Sequence, residues 1–346
     1  MTQATTAADA ATFAVAVPAL GSDVRCHVLQ PGRPPLFIEP AGERLLDRAR
    51  FRQWSRTVRP ALDALILEHG GIVLRGFPTA ATEDFADFIE QFPAFDGGYA
   101  GGRAPRETIS GRVMEATRLS ASVRLAVHSE MAYRRDYPRR IAFFSRKTAE
   151  VGGETLITDV RHLAERMDPE LAGKIATLGS RTAINFGPRR DADDASYAHM
   201  DERGWNQSFN TEDAAEVNRL CAERGLEPVW HEDGSLTVLN ALEPFVVHPQ
   251  IGRKLYRSIL HMLPQVENPE QDLERRKRQK YPTGATLGNG ERLTDAERTH
   301  IDQLCDQTTY SWRWRDGDVM VLDNLQVWHG RNPYQGTRDV QVALLD

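Results

Sequence analysis

The tripeptide His128-Ser129-Glu130 brings together two residue types that bind metals. In an extended strand, residues i and i+2 point to the same face, so this spacing directs an imidazole and a carboxylate at one point. A second histidine from a distant segment would complete a face of two imidazoles and one carboxylate. Such a set leaves three octahedral positions open, which Fe(II) needs to bind a chelating oxo acid and then dioxygen. The tripeptide alone is weak evidence, because the same pair at a strand edge also makes ordinary hydrogen bonds.

The second histidine is best sought near the C-terminus. His329 closely follows an apolar run at 316–324 that we predict to be a turn and a buried strand. Its simpler interpretation is a turn histidine, and His199, His248 and His261 remain alternatives. Arg338 begins the last predicted strand, and its guanidinium can bind a carboxylate as a fork. If the strands at 318–323 and 338–345 are neighbours, His329 and Arg338 lie at the same end of a barrel, although an arginine at a strand start is usually solvent-exposed.

The elements that must position these residues are mostly short strands. Apolar or β-branched runs predict strands at 71–77, 141–145, 155–158, 180–185, 236–239, 318–323 and 340–345. Helical spacing predicts helices at 51–69, 83–91, 160–167, 169–176, 211–224 and 293–305. The strands do not alternate regularly with helices, so a doubly wound parallel sheet is not expected. The predicted class is mainly β with flanking helices (α+β), as a β-barrel or a double-sheet jelly roll.

Composition excludes several classes of protein. The 346 residues are 40% apolar and 27% charged with a formal charge of −6, so we expect no nucleic-acid partner and no membrane partner. Cys26, Cys221 and Cys305 are far apart, which favours a reducing compartment over a disulfide scaffold. No secretory signal and no apolar run of about 18 residues is found, so we expect a cytoplasmic protein. We interpret residues 1–14 as a disordered tail and residues 15–346 as one domain.

The stretch 127–161 resembles the taurine dioxygenase superfamily, and more closely its branch of amino-acid hydroxylases that includes the syringomycin-pathway aspartyl hydroxylase. The family pattern is H-x-D/E, then Gly-Gly-Asp/Glu-Thr, then a distal histidine followed by an arginine. This chain has His128 and Glu130, then GGET at 152–155, then His329 and Arg338, and the resemblance runs from about residue 40 to the C-terminus. It implies a double-stranded β-helix, or jelly roll, that acts as a non-haem Fe(II)- and 2-oxoglutarate-dependent dioxygenase.

The resemblance also implies roles for individual residues. His128, Glu130 and His329 would hold Fe(II), while Thr155 and Arg338 would hold 2-oxoglutarate, with O2 as the other co-substrate. The carboxylate of Glu130 argues against a halogenase, because related halogenases have a small residue there for chloride. No second arginine follows Arg338 within a few residues, which argues against a sulfonate substrate.

These features predict hydroxylation of an unactivated C–H bond in a small molecule. The expected substrate is an amino acid or a derivative, free or presented by a carrier protein, in natural-product (antibiotic) biosynthesis. The alternatives are desaturation or ring formation with the same cofactors, or a non-catalytic jelly-roll protein that binds a metal or a small acid. A dinucleotide-dependent dehydrogenase is not supported, because the run GGYAGG at 97–102 is not a G-x-G-x-x-G between a strand and a helix.

Candidate substrate contacts are less specific, and the oligomeric state is not determined by the sequence. Arg103 and Arg106 lie in a Gly-rich loop, where they bind a substrate carboxylate or simply face solvent. Met131 and Tyr133 follow the metal motif and line either the pocket or the core. Further candidates for contact with substrate are Trp205, Ser208 and Phe209, and candidate hydrogen-bond partners of the metal ligands are Asn240 and Trp328.

Overall fold

The structure is a computed structural model that describes residues 6–7, 12–97, 108–116, 119–191, 194, 203–262 and 284–346. The candidate substrate residues Arg103 and Arg106 and the alternative ligand His199 lie outside these ranges. The strands are β1 (Thr6–Ala7), β2 (Phe13–Val15), β3 (Val24–Val28), β4 (Leu36–Pro40), β5 (Gly71–Leu74), β6 (Thr108–Ser110), β7 (Val113–Glu115), β8 (Leu125–His128), β9 (Arg140–Lys147), β10 (Val151–Gly152), β11 (Thr155–Asp159), β12 (Ser180–Phe186), β13 (Glu227–Trp230), β14 (Leu236–Leu242), β15 (Phe245–Val247), β16 (Lys254–Tyr256), β17 (Gly284–Leu287), β18 (Thr309–Trp312), β19 (Val319–Asp323), β20 (Val327–Arg331), β21 (Tyr334–Gln335) and β22 (Asp339–Leu345). The α-helices are α1 (Arg48–Thr57), α2 (Arg59–His69), α3 (Thr82–Glu90), α4 (Leu163–Arg166), α5 (Pro169–Leu178), α6 (Trp205–Phe209), α7 (Ala214–Glu223) and α8 (Asp295–Asp306). The protein is mainly β with flanking helices, as the sequence predicts.

Two sheets pack face to face and form the central core. The larger has the order β2-β3-β4-β5-β19-β9-β22-β7-β6, and the smaller has the order β1-β18-β11-β20-β8. Alternation along the strands directs one set of side chains of each sheet into the space between them. Phe37 of β4 meets Trp312 of β18 edge to face at 5.2 Å, and Phe143 of β9 meets His329 of β20 at 5.0 Å. The inner faces of both sheets therefore define where a site between them can lie.

Helices cover the outer faces of both sheets. Buried apolar residues of α1, α2 and α3 pack on the outer face of the nine-stranded sheet, against residues such as Phe144 and Val321. Residues of α4, α5 and α8 pack on the outer face of the five-stranded sheet, against Leu156 and Trp328. A third, four-stranded sheet (β13-β14-β12-β17) buries its own cluster under α7.

The predicted single helix at 51–69 is two helices. The break falls at Val58, whose backbone (φ −90°, ψ 7°) leaves the α-helical region between α1 and α2. Pro60 sits in the first turn of α2, where its missing N–H costs nothing, whereas in the middle of a helix it would remove a hydrogen bond and clash with the preceding turn. The proline therefore explains the break.

The expectation that the strands at 318–323 and 338–345 are neighbours is wrong. Both β19 and β22 pair with β9, which lies between them in the sheet. His329 does not follow β19 as a turn residue either, because it is the central residue of the separate strand β20. β9 is far in sequence from both strands that it separates, so the local sequence pattern does not show that it lies between them.

None of the helices in the part of the chain that the structure describes is long and apolar enough to cross a membrane.

Candidate metal centre

Two neighbouring strands place the two histidines side by side. In the antiparallel pair β8–β20, His128 lies directly opposite His329, and the centroids of their imidazole rings are 4.5 Å apart. His128 is the last residue of β8, so Glu130 follows just beyond the strand end. The antiparallel register therefore brings residues about 200 positions apart to one point.

The carboxylate completes the group. Glu130 Oε2 lies 3.5 Å from His329 Nε2, and the two residues are 4% and 3% exposed. One ligand atom from each of His128, Glu130 and His329 lies within 4.8 Å of the other two. Two imidazole nitrogens and one carboxylate oxygen on a single face are the donor set of the non-haem Fe(II) facial triad, so the residues present fit this metal.

The histidine rings are oriented for binding through Nε2. The Nδ1 of His128 lies 2.8 Å from the carbonyl oxygen of Ala126, which can only accept, so Nδ1 carries the proton and Nε2 carries the lone pair. His329 directs Nε2 at Glu130, while its Nδ1 is buried without a hydrogen-bond partner among the described residues. A hydrogen bond from the remote nitrogen is the usual way to fix a ligating imidazole, and only His128 has one here.

The segment that follows the first histidine, residues 129–137 (the metal loop), is held by side chains from distant elements. The Asn324 side chain accepts a hydrogen bond from the backbone N–H of Glu130 at 2.7 Å and donates to its carbonyl at 3.1 Å. The Ser129 hydroxyl donates to the main-chain oxygen of Asn324 at 2.9 Å. These contacts anchor the metal loop next to its ligand.

A buried arginine holds the middle of the metal loop. Arg257 donates to the carbonyls of Met131 at 2.6 Å and Arg134 at 3.0 Å, and its guanidinium lies 3.6 Å from the Tyr137 ring centroid. Burial lowers the pKa of Arg257 to about 10. Met131 has a positive φ of 55°, a conformation that is uncommon outside glycine, so the carbonyl it presents is held in a strained turn.

The third sheet contacts the same loop. The amide of Asn240 and the hydroxyl of Thr182 both donate to the carbonyl of Tyr133, at 2.8 and 3.4 Å. Asn240 thus supports the metal loop and not a ligand side chain. Trp328 stacks on His261 at 5.3 Å on the outer face of the five-stranded sheet. Its indole N–H has no hydrogen-bond partner in the described ranges, so Trp328 does not hydrogen-bond a metal ligand.

Thr155 and Arg338 lie beside the strand that carries His329. Thr155 begins β11 and pairs with Arg331 of β20. This pair lies two residues along both strands from the pair of Ile157 and His329, and therefore on the same face of the sheet. Its hydroxyl accepts a hydrogen bond from the indole of Trp314 at 3.0 Å. Thr155 is therefore on the inner face, on the same strand pair as a metal ligand.

Arg338 is a partly buried cation whose guanidinium lies 5.6 Å from the centroid of the Tyr334 ring. Burial, and to a lesser extent the neighbouring Arg331, lower its pKa to about 10. Its Nε donates to the carbonyl of Gly153 at 3.0 Å, but none of the described carboxylates forms a salt bridge with it. A carboxylate held by this guanidinium would offset the cost of its partial burial.

The other predicted substrate residues are placed as follows. Met131 is buried in the cluster between the two large sheets, and Tyr133 packs against both that cluster and the cluster of the third sheet. Trp205 begins the short helix α6 and contacts Trp230 edge to face at 5.2 Å within the third sheet's cluster, which also contains Phe209. The structure thus gathers Met131 and Tyr133 beside the metal ligands and places Trp205 in a separate cluster.

Asn324 and Arg257 are supporting residues that the sequence analysis missed. A weak signal existed for Asn324, since an Asp-Asn pair closes the buried strand before His329. No local pattern marks Arg257, because it contacts residues more than 120 positions away.

Comparisons with known proteins identify the family of this chain. Residues 38–344 match the family model described as "Taurine catabolism dioxygenase TauD, TfdA family". The chain is 27% identical over 289 residues to the dapdiamide synthesis protein DdaC of Enterobacter agglomerans, covering 82% of this chain and 84% of that protein. It is 29% identical over 297 residues to a clavaminate synthase-like protein of Arabidopsis thaliana, covering 85% and 87%.

The fold is also similar to that of PvcB, described as an Fe, alpha-ketoglutarate dependent oxygenase from an isonitrile synthetic pathway. The TM-score is 0.51 at 15% identity, with 94% of this chain and 92% of that chain covered. The family match spans nearly the whole chain, and the structure brings together a His-Glu-His group that fits Fe(II). The chain therefore belongs to the TauD, TfdA family and is a non-haem Fe(II)- and 2-oxoglutarate-dependent dioxygenase.

Proposed function

We propose that this enzyme hydroxylates an unactivated C–H bond of an amino acid or an amino-acid-derived small molecule in natural-product biosynthesis. The observation that carries the reaction class is the buried group of His128, Glu130 and His329. Arg338 supplies a partly buried guanidinium, whose Nε donates to the carbonyl of Gly153, two residues before Thr155. The reaction balances as substrate, 2-oxoglutarate and O2 giving hydroxylated substrate, succinate and carbon dioxide.

We assign the co-substrate contacts to Thr155 and Arg338. The guanidinium of Arg338 would bind the carboxylate remote from the metal, and the Thr155 hydroxyl would donate to the same group while accepting from Trp314. The imidazoles and Glu130 would hold Fe(II), which, with 2-oxoglutarate and O2 bound, supplies oxidative decarboxylation coupled to C–H oxidation. The buried position of Glu130 keeps water from competing for its carboxylate oxygens.

The proposed fold is a double-stranded β-helix, formed by residues 15–346 as one domain with residues 1–14 as a tail. It is supported by the two sheets that share one core and by the family match over residues 38–344. β2 begins at Phe13, two residues before the proposed boundary, and pairs with β3.

The substrate class is supported by the names of the relatives. One is named for dapdiamide synthesis and the other for its likeness to clavaminate synthase, and both names refer to the making of small molecules. The carboxylate of Glu130 opposes halide binding at the metal, and the absence of a second arginine shortly after Arg338 opposes a sulfonate substrate. A free amino acid and a carrier-tethered one both remain within the proposal.

For the substrate contacts we propose Met131 and Tyr133, which lie in the metal loop, with Arg103, Arg106 and Trp205 as further candidates. Tyr133 packs against both the apolar cluster between the two large sheets and the cluster of the third sheet. We place the protein in the cytoplasm without a nucleic-acid or membrane partner, which is consistent with three buried cysteines that form no disulfide.

Mass spectrometry of reactions with Fe(II), 2-oxoglutarate and a panel of free and carrier-linked amino acids tests the proposal. We expect a gain of one oxygen together with substrate-dependent succinate. A loss of two hydrogens would replace hydroxylation by desaturation or ring formation. Binding of Fe(II) and 2-oxoglutarate without turnover of any substrate would favour a non-catalytic binding protein.

The metal ligands provide the controls. Glu130→Ala and His329→Ala should each abolish substrate-dependent succinate, because each removes a donor from the three-residue set. Full turnover in either variant would refute the assignment of the site.

A further inference from the structure

We infer that Asn324 is a positioning residue for the metal ligand Glu130, and that its amide sets the direction of the Glu130 carboxylate. The inference rests on the proposed iron site, and it assigns a function to a residue that does not itself touch the metal. Asn324 is fully buried at the end of β19, close to the start of the strand that carries His329.

Every hydrogen-bonding position of the Asn324 side chain is used on the segment around Glu130. The oxygen Oδ1 accepts from the Glu130 N–H at 2.7 Å. The Ser129 hydroxyl lies 3.2 Å from Oδ1 and shares its single proton between Oδ1 and the main-chain oxygen of Asn324. The nitrogen Nδ2 donates to the carbonyls of Glu130 at 3.1 Å and Pro138 at 2.8 Å. An amide side chain offers two donors and two accepting positions, so this set is complete. Aspartate and leucine have nearly the same size but cannot reproduce it.

The position of Asn324 is itself fixed on both sides. Its main-chain N–H donates to the carbonyl of Arg139 at 2.9 Å. The preceding Asp323 accepts from the N–H groups of Leu325 and Gln326, both at 3.0 Å, and its other oxygen lies 2.9 Å from His248 Nε2. Asn324 therefore reaches the metal loop from a turn that other buried groups hold in place.

The geometry of the metal loop explains why Glu130 needs support from a distant side chain. Glu130 lies beyond the end of β8, so no strand pairing fixes its backbone, and the next residue, Met131, has a positive φ of 55°. Non-glycine residues persist in this region only where the surroundings hold them. Asn324 holds both the N–H and the carbonyl of Glu130, and so restrains the backbone from which the side chain extends to place Oε2 3.5 Å from His329 Nε2.

The test measures metal affinity in the absence of substrate. We expect Asn324→Leu and Asn324→Asp to weaken binding of Mn(II) and anaerobic Fe(II) by about 10- to 100-fold, the range found for residues that support metal ligands. The matched control is Asn206→Leu. Asn206 is also a buried asparagine whose amide braces a loop, through Arg190 and Glu212, but it lies in α6. This control should lower the melting temperature and leave metal affinity within about twofold.

Titration of Mn(II) by electron paramagnetic resonance, with Fe(II) measured anaerobically by its displacement of bound Mn(II), gives the metal affinities, and thermal unfolding of each apo protein separates the outcomes. Metal affinity unchanged in a folded Asn324 variant, or weakened equally in Asn206→Leu, would overturn the inference. If both Asn324 variants fail to fold, Ser129→Ala decides. It removes one hydrogen bond to Asn324 and should weaken metal binding about two- to tenfold, whereas unchanged affinity would count against the inference. Absence of metal binding in the unaltered protein would instead overturn the proposed function.

Discussion

Replacing the partly buried cation Arg338 by methionine should separate co-substrate binding from folding stability. One pKa unit corresponds to about 1.4 kcal/mol, so the fall from 12.5 to about 10 means that burial and the neighbouring Arg331 together disfavour the charged guanidinium by roughly 3 kcal/mol. Without a bound ligand, this free-energy cost lowers the stability of the folded protein. Arg338→Met removes it while keeping a side chain of similar length, so the apo variant should be at least as stable as the unaltered protein.

Binding of 2-oxoglutarate should change in the opposite direction. Removing one partner of a buried, hydrogen-bonded charge pair costs about 2–5 kcal/mol, which corresponds to a loss of affinity of roughly 30-fold or more. Arg338→Lys keeps the charge but loses the planar fork, so its affinity should fall between those of the other two proteins. The control is Arg146→Met, since Arg146 is exposed and pairs with Asp339.

Anaerobic titration of the Fe(II)-loaded protein with 2-oxoglutarate, followed by its charge-transfer absorption, gives the affinity. Chemical denaturation of each apo protein gives its stability. The reasoning would be refuted if Arg338→Met bound 2-oxoglutarate within about threefold of the unaltered protein. A large loss of apo stability in the same variant would show that the partly buried cation is compensated from within the protein.

Three further predictions address other parts of the site. Thr155→Val removes one hydroxyl and should raise the KM for 2-oxoglutarate by about five- to tenfold, with kcat within twofold. Thr155→Ser keeps the hydroxyl and should restore the KM. Steady-state kinetics in which both variants behaved alike would contradict this prediction. Gly330→Ala should weaken metal binding roughly tenfold or more, because the added Cβ would lie 2.5 Å from the carbonyl of Leu125 and push β20 from β8; unchanged metal affinity would show that the strands adjust. Burial lowers the pKa of His261 to about 4 from 6.5, so the unfolded state binds the proton first and stability falls by about 3 kcal/mol as the pH drops from 6.5 to 4. His261→Phe should flatten that slope in urea denaturation series, and parallel pH profiles would exclude this histidine as its cause.

The sequence by itself determined the chemistry of the metal centre. His128, Glu130 and His329 are specific residue types at family-like positions, and their identities limit the metal and the reaction class. Local signals also predicted many of the elements, such as α8, which the structure shows to begin with a capping box of Thr294 and Glu297. These features depend on residues close together in the chain, where side-chain period and capping chemistry decide the structure.

Only the tertiary structure decided how the site is supported. β9 separates β19 from β22, and the β8–β20 register, not a turn, places His329 opposite His128. Asn324 and Arg257 act on the metal loop across more than 120 residues of chain, so no local spacing reports them. Hydrogen bonds of this kind depend on which strands pair and in which register, and pairing is set by the summed burial of both sheets. A local sequence pattern contains the residues that bind the metal, whereas their exact positions follow from contacts between distant segments.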